Sequence, residues 1–179
     1  MKRCVVLLSG KQNSTISLFW AKNVFHEVHA ITFNYGQNCS SQVDAAKIVA
    51  DLANVVSHEI IDIPDLLEES SQEPTFSPLA HTIILTVAAN FAKREGINEL
   101  VTGVCIKDLG GESETRFYID ATEQAIGEAI ALASNSTYSS IKDFKIHTPL
   151  IDMNENSIFE LADCLPICRT ALAFAYNGI

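Results

Sequence analysis

The sequence predicts an α/β fold: one doubly wound, five-stranded parallel sheet with helices on both faces. Three observations predict it. Short runs of aliphatic and β-branched residues recur at residues 3–8, 27–33, 58–63, 100–105 and 144–149. Between them, apolar residues return at helical rather than alternating spacing. The runs are also nearly continuous in their apolar character, as strands covered on both faces are.

Each element has its own warrant. Residues 3–8 end at Ser9-Gly10, a turn signal, and from Ser14 onward Ile16, Leu18, Phe19 and Trp20 start a helix. Residues 27–33 end at Asn34-Tyr35-Gly36-Gln37, and Val43, Ala46, Ile48 with Val49 and Leu52 mark a second helix over 39–54. Residues 64–78, rich in Glu, Ser and Pro, have no periodicity and read either as a lid or as a solvated crossover. Residues 79–95 form an almost wholly apolar helix closed by Gly96. A polar loop over 107–114 leads into a helix over 116–133 whose expected apolar side is Phe117, Ala121, Ala125, Ile126, Ala129 and Ile130. Residues 156–165 are expected to be the last helix, with the apolar end of the chain packed on the body.

Composition bounds the function. With 179 residues, 47% of them hydrophobic, the chain has the material for one domain over 1–179. A formal charge of -10 argues against an electrostatic grip on nucleic acid. No apolar run reaches the ~18 residues of a membrane span, and Met1-Lys2-Arg3 precedes a run too short for a signal peptide, so a cytoplasmic protein is expected. The five cysteines, Cys4, Cys39, Cys105, Cys164 and Cys168, are odd in number and scattered. Most read as small buried residues, and the Cys164/Cys168 pair, interrupted by Pro166, does not read as a zinc site. His26, His29, His58 and His147 read as packing or surface residues, without the spacing of a catalytic triad.

The first turn carries the strongest functional signal. A loop between a buried strand and a helix offers backbone N–H groups and the positive end of the helix dipole to an anion, although an ordinary polar turn has the same composition. Ser9-Gly10-Lys11-Gln12-Asn13-Ser14 resembles the Ser-Gly-Gly-x-Asp-Ser signature of the PP-loop ATP pyrophosphatases, with Lys11 at the second Gly and Asn13 at the Asp. Further stretches extend the likeness in order along the chain: Glu27-Val-His, Thr32-Phe-Asn-Tyr-Gly-Gln37, Ile84-Leu-Thr-Val-Ala-Ala89, Thr102-Gly-Val-Cys105, Thr148-Pro-Leu150 and Tyr176-Asn-Gly178. Together they resemble the QueC family of 7-cyano-7-deazaguanine synthases, and the implied architecture is the adenine nucleotide alpha hydrolase-like (HUP-type) fold.

That resemblance implies a reaction of queuosine biosynthesis. ATP adenylates the carboxylate of 7-carboxy-7-deazaguanine, ammonia gives the amide, and a second activation leaves the nitrile. It also implies magnesium at the pyrophosphate and a four-Cys zinc module after the core, which is not expected here because the sequence ends at Ile179 before such a segment. Asn34 stands for a family Asp, Pro78-Leu-Ala-His81 for Pro-Gly-Arg-Asn with the loss of an Arg that His81 cannot copy, and Cys105-Ile-Lys107 for Cys-Glu-Thr. A neutral imidazole cannot replace a guanidinium fork.

The nucleotide site implied is Ser9, Gly10, Lys11, Gln12, Asn13, Ser14 and Thr15, with Tyr35, Gln37, His81 and Gly103 around a base-shaped ligand. Lys107 is the one weak catalytic candidate; it and Lys11 read either as phosphate ligands or as solvated lysines. Three functions are open. The first is a catalytically silent relative acting through a homodimer or a protein partner such as an active relative. The second is residual binding of ATP, with or without Mg2+, or of a deazapurine. The third is an altered carboxylate-activating ligase, motivated by Lys107, Asp108 and Gly110-Gly111. Space above Ser9 filled by Lys11 or His81 favours the first, and an open polar cleft favours ligand binding.

Overall fold

In the computed structural model the described residues are 1–35, 40–63, 77–105, 112–133, 143–166 and 168–175. Their elements run β1 (Arg3–Leu7), α1 (Gln12–Val24), β2 (Glu27–Asn34), α2 (Ser40–Ala53), β3 (Ser57–Asp62), α3 (Pro78–Arg94), β4 (Glu99–Val101), α4 (Glu112–Ala133), β5 (Lys145–His147), α5 (Glu155–Cys164) and α6 (Cys168–Leu172). All strand pairs are parallel, in the order β3-β2-β1-β4-β5. The chain winds outward from β1 to β3, then returns to lay β4 on the other side of β1. This reversal opens a crevice beyond the carboxyl ends of β1 and β4.

Alternate residues of the central strands feed two cores. Cys4, Val6, Leu8, Val28 and Ala30 pack with Ile16, Ala46, Val49, Ile158 and Ala171 from α1, α2, α5 and α6. Val5, Leu7, Ile31 and Phe33 pack with Leu85, Ala88, Ala92, Ile119 and Ile126 from α3 and α4. Helices therefore cover both faces.

Local chemistry sets the boundaries. Ser14 Oγ and Thr15 Oγ1 both donate to the Lys11 carbonyl, at 2.9 and 3.0 Å, so α1 starts at Gln12, two residues before the expected position. Pro78 sits in the first turn of α3, and the Ser77 hydroxyl accepts from Ala80 N–H. At its other end Gly96 takes φ +66 while Gly96 N–H reaches Lys93 O and Ile97 N–H reaches Ala92 O. That is the paired C-terminal motif that glycine enables. Asn154 caps α5 by accepting from Ser157 N–H at 3.0 Å.

Further expectations are corrected: α5 is not the last helix, because α6 follows it. β4 covers three residues rather than the six of 100–105, because Gly103 lies against the first turn of α1 and leaves the sheet. In α4, Phe117 is 76% exposed and Ala121, Ala125 and Ala129 face solvent. The buried stripe is Thr115, Ile119, Thr122 and Ile126, of which Ile126 was expected.

Cys4, Cys105 and Cys168 are buried, and Cys164 is exposed; Cys39 lies outside the described residues. Burial pushes the Cys4 thiol up to about 12 and Cys168 to about 11, which keeps both protonated. Among the described residues no helix is long and apolar enough to cross a membrane.

Candidate functional site

The turn after β1 is closed by its own hydroxyls. Ser14 Oγ lies 2.9 Å from Ser9 Oγ and accepts from Ser9 N–H at 3.2 Å, while Ser9 Oγ accepts from Lys11 N–H at 3.4 Å. Lys11 takes the N-cap position of α1 in an extended conformation and supplies no side-chain cap. Among the described residues, the first-turn N–H groups of Gln12 and Asn13 have no intrachain acceptor. An uncapped helix start beside an ammonium group suits an anion.

Two glycines hold this turn in place. Gly10 has φ +77, and a Cβ there would lie 2.1 Å from Gln42 O and 3.0 Å from Ala46 N of α2. A Cβ on Gly103 would lie 2.8 Å from both Asn13 C and Ser14 N. The loop is thus clamped between α2 and the end of β4 by backbone contacts that only glycine permits. Asn13 Nδ2 also donates to Cys105 Sγ at 3.5 Å, a contact for which an ionised Asp has no donor.

Above the turn lies an open cleft of about 480 Å3. Ser9, Lys11, Gln12, Asn13 and Ser14 form one wall. Ile31, Phe33 and Tyr35 from the end of β2 form the floor, and Ser77, Ala80, His81 and Ile84 from the start of α3 complete the lining with Thr102 and Gly103, which lie beside the turn. The space above Ser9 is filled by neither Lys11 nor His81. Gly10 and Thr15 are buried and serve the turn from behind, outside the lining. Gln37, Lys107, Asp108 and Gly110-Gly111 lie outside the described residues.

His81 is 6% exposed, with Nδ1 3.0 Å from the Tyr118 hydroxyl and Nε2 3.2 Å from Thr102 Oγ1. Burial pushes its pKa down to about 4, so the ring is neutral at physiological pH. The Tyr118 hydroxyl is held by Thr82 Oγ1 at 3.0 Å and donates to Pro78 O at 3.1 Å. Burial raises its pKa as well, so it too stays protonated.

Among the described lining residues Lys11 is the one cation, and no Asp or Glu is present. Asp62 at the end of β3 accepts from Asn34 Nδ2 at 2.7 Å and stands outside the lining. Magnesium takes carboxylate and water oxygens, and the described donor set does not fit it. Nor do any three His, Cys, Asp or Glu side chains gather into a metal-ligand set among the described residues.

Residues 3–72 and 65–178 match the family described as queuosine biosynthesis protein QueC. The chain belongs to the QueC family. Its fold recurs in solved proteins. One is a predicted subunit of tRNA methyltransferase from Methanocaldococcus jannaschii, with a TM-score of 0.59 and 18% identity, covering 91% of this chain and 75% of that one. Another is the NH3-dependent NAD synthetase of Campylobacter jejuni, at 0.58 and 14%, covering 99% and 69%. A third is a 4-thiouridine synthetase solved with RNA and bound ATP, at 0.53 and 16%, covering 99% and 54%. At such identities the likeness shows the fold.

Within this QueC-family cleft the structure also places residues that the sequence did not assign to the site, although Phe33 and Thr102 stand inside the motif stretches. Thr102, Gln42, Ser77 and Phe33 line it, and Tyr118 stands behind His81. The signal available for Thr102, Phe33 and Gln42 was position: each sits at a strand's carboxyl end or in the helix turn that follows, where ligands of open α/β sheets bind. Tyr118 had no local signal, since 37 residues separate it from His81.

Proposed function

We propose that this QueC-family chain binds an adenine nucleotide in the cleft, with phosphates against Ser9, the Lys11 ammonium and the N–H groups of Gln12 and Asn13. The observation that carries this reading is the open cleft over an uncapped helix start with a lysine at its mouth. In the family reaction that the resemblance implies, ATP supplies the adenylyl group that activates a carboxylate. Here Ser9 and the first-turn N–H groups orient phosphate, Lys11 neutralises it, and the apolar floor excludes water.

The same reading assigns little or no synthase turnover. By the family resemblance Asn13 and Asn34 stand at positions of two acids and the run 78–81 lacks the family's guanidinium, and each such loss typically lowers a rate by ~100-fold. Titration calorimetry of the full chain with ATP tests the binding. We expect saturable heat and, in Lys11→Ala, affinity weaker by about 10-fold or more, the cost of one charge-assisted contact. Absence of heat with ATP, with and without magnesium, overturns it.

A second reading, assembly through the outer faces of α3 and α4, is favoured by one observation: Leu79 is 79% exposed, Phe117 76% and Leu132 80%. A second copy of the chain is the proposed occupant. Phe117→Asp is then expected to shift a dimer to monomer in sedimentation velocity, and a wild-type monomer at high micromolar concentration contradicts the reading.

A further inference from the structure

The turn after β1 is also held from behind, by residues outside the cleft. Leu8 follows β1, and its carbonyl shares one peptide group with the N–H of Ser9. The Leu8 N–H donates to Ile31 O at 2.8 Å. Its carbonyl accepts from Thr32 Oγ1 of β2 at 2.6 Å, and His58 Nε2 of β3 lies 2.7 Å from that same hydroxyl. Thr32 is 1% exposed, and neither it nor His58 lines the cleft. Counting protons fixes the direction of each bond, because a hydroxyl has one hydrogen and a carbonyl oxygen has none to give. Thr32 therefore donates to Leu8 O and accepts from His58, which makes Nε2 the protonated ring nitrogen. On the far side of the peptide group, Ser9 N–H donates to Ser14 Oγ at 3.2 Å, and Ser14 Oγ donates to Lys11 O at 2.9 Å. Hydrogen bonds thus run head to tail from β3 to the N-cap of α1, an arrangement in which each bond polarises the next.

We propose that Thr32, aimed by His58, is a positioning residue for the anion-binding turn, fixing the Leu8–Ser9 peptide group from which the turn takes its direction. The inference rests on the nucleotide reading above. Gly10 and Gly103 set how closely α2 and the end of β4 approach the turn. The rotation of the Leu8–Ser9 peptide is set by hydrogen bonds at its two ends, and Thr32 supplies the one on the carbonyl. Burial, the largest influence on it, lowers the His58 pKa and favours a neutral ring with its proton on Nε2. Without the Thr32 hydroxyl, Leu8 O and the His58 N–H lose their partners, and the peptide group is free to turn. Ser9 and the N–H groups of Gln12 and Asn13 then have to be ordered by the phosphate as it binds, which weakens affinity.

The test is calorimetric titration of ATP into the full chain and its variants at neutral pH, paired with amide spectra of the ligand-free protein. Thr32→Val keeps the shape and removes the hydroxyl, and ATP affinity weaker by about 10-fold is expected. Thr32→Ser restores the hydroxyl and is expected to bind within about 3-fold of wild type. The Ser9 amide resonance, which reports the hydrogen bond on the carbonyl joined to it, is expected to move in Thr32→Val and to return in Thr32→Ser. If Thr32→Val does not fold, His58 serves: His58→Gln, which still donates through its amide, is expected to bind as wild type does, and His58→Leu more weakly. A merely structural Thr32 would lower stability yet leave the ATP affinity of folded Thr32→Val and its Ser9 resonance unmoved, which overturns the assignment. Equal affinities in the two His58 variants overturn it too, as does a wild-type His58 whose imidazole nitrogen spectra place the proton on Nδ1. Wild type that binds no ATP removes the nucleotide reading instead, and the Ser9 resonance alone then decides whether Thr32 holds the turn.

Discussion

Gly10→Ala is expected to destabilise the protein by about 4 kcal/mol, the sum of a left-handed backbone strain and an overlap that neighbouring backbone cannot relieve. The new Cβ would stand 2.1 Å from Gln42 O, inside any allowed contact, and Gly10 already sits at φ +77. Relief requires α2 to move off the turn, which opens the core around Ala46 and Val49. Gly96→Ala is the control. Gly96 has a similar φ of +66, but its Cβ would meet the Arg3 guanidinium no closer than 3.5 Å, so only the conformational cost of about 1 kcal/mol remains. Urea unfolding of the two variants measures the difference. Equal losses would show that the turn is not clamped to α2 as described.

Acidification is expected to cost the protein about 3 kcal/mol through His81 alone, the free-energy equivalent of a shift from 6.5 to about 4. The sign follows from which state binds the proton. Burial lowers the folded-state value, so between those limits the unfolded chain takes up a proton that the native chain refuses. The stabilisation is complete above pH 6.5, falls as pH drops toward 4, and is gone below it. His81→Gln cannot titrate, so its stability should decline less steeply over that interval. Stability against pH for both proteins, by chemical denaturation, gives the difference directly, and parallel curves would mean that His81 is not buried against Tyr118 and Thr102.

Much of the architecture was legible because the strands are short, continuous and β-branched, and because strand and helix alternate. The reversal of strand order then makes the turn after β1 the natural ligand edge, and Ser9, Lys11, Gln12, Asn13 and Ser14 do line the cleft. What was not legible has physical reasons. Ala121, Ala125 and Ala129 look apolar in sequence, yet small side chains gain little by burial. Ile119 and Ile126 bury more area and orient α4, carrying Thr115 and Thr122 inward with them. Gly103 reads as strand, but its missing Cβ is used to seat the first turn of α1, which ends β4 early. The His81–Tyr118–Thr102 network joins residues far apart in the chain and becomes visible only when α3 and α4 lie side by side.

The departures at Asn13, Asn34 and His81 belong together in this account. Asn13 donates to Cys105, Asn34 donates to Asp62, and His81 is locked between two hydroxyls. Each substituted side chain has a specific partner that uses its own chemistry, which supports a site built for holding a ligand over one built for turnover. Phosphorus NMR of the full chain with ATP, magnesium, ammonia and 7-carboxy-7-deazaguanine reads both halves of that claim at once. The account predicts shifted or broadened ATP resonances and no growth of a pyrophosphate signal over hours. Pyrophosphate accumulating at an enzyme-like rate, or ATP resonances that the protein leaves unchanged, would contradict it.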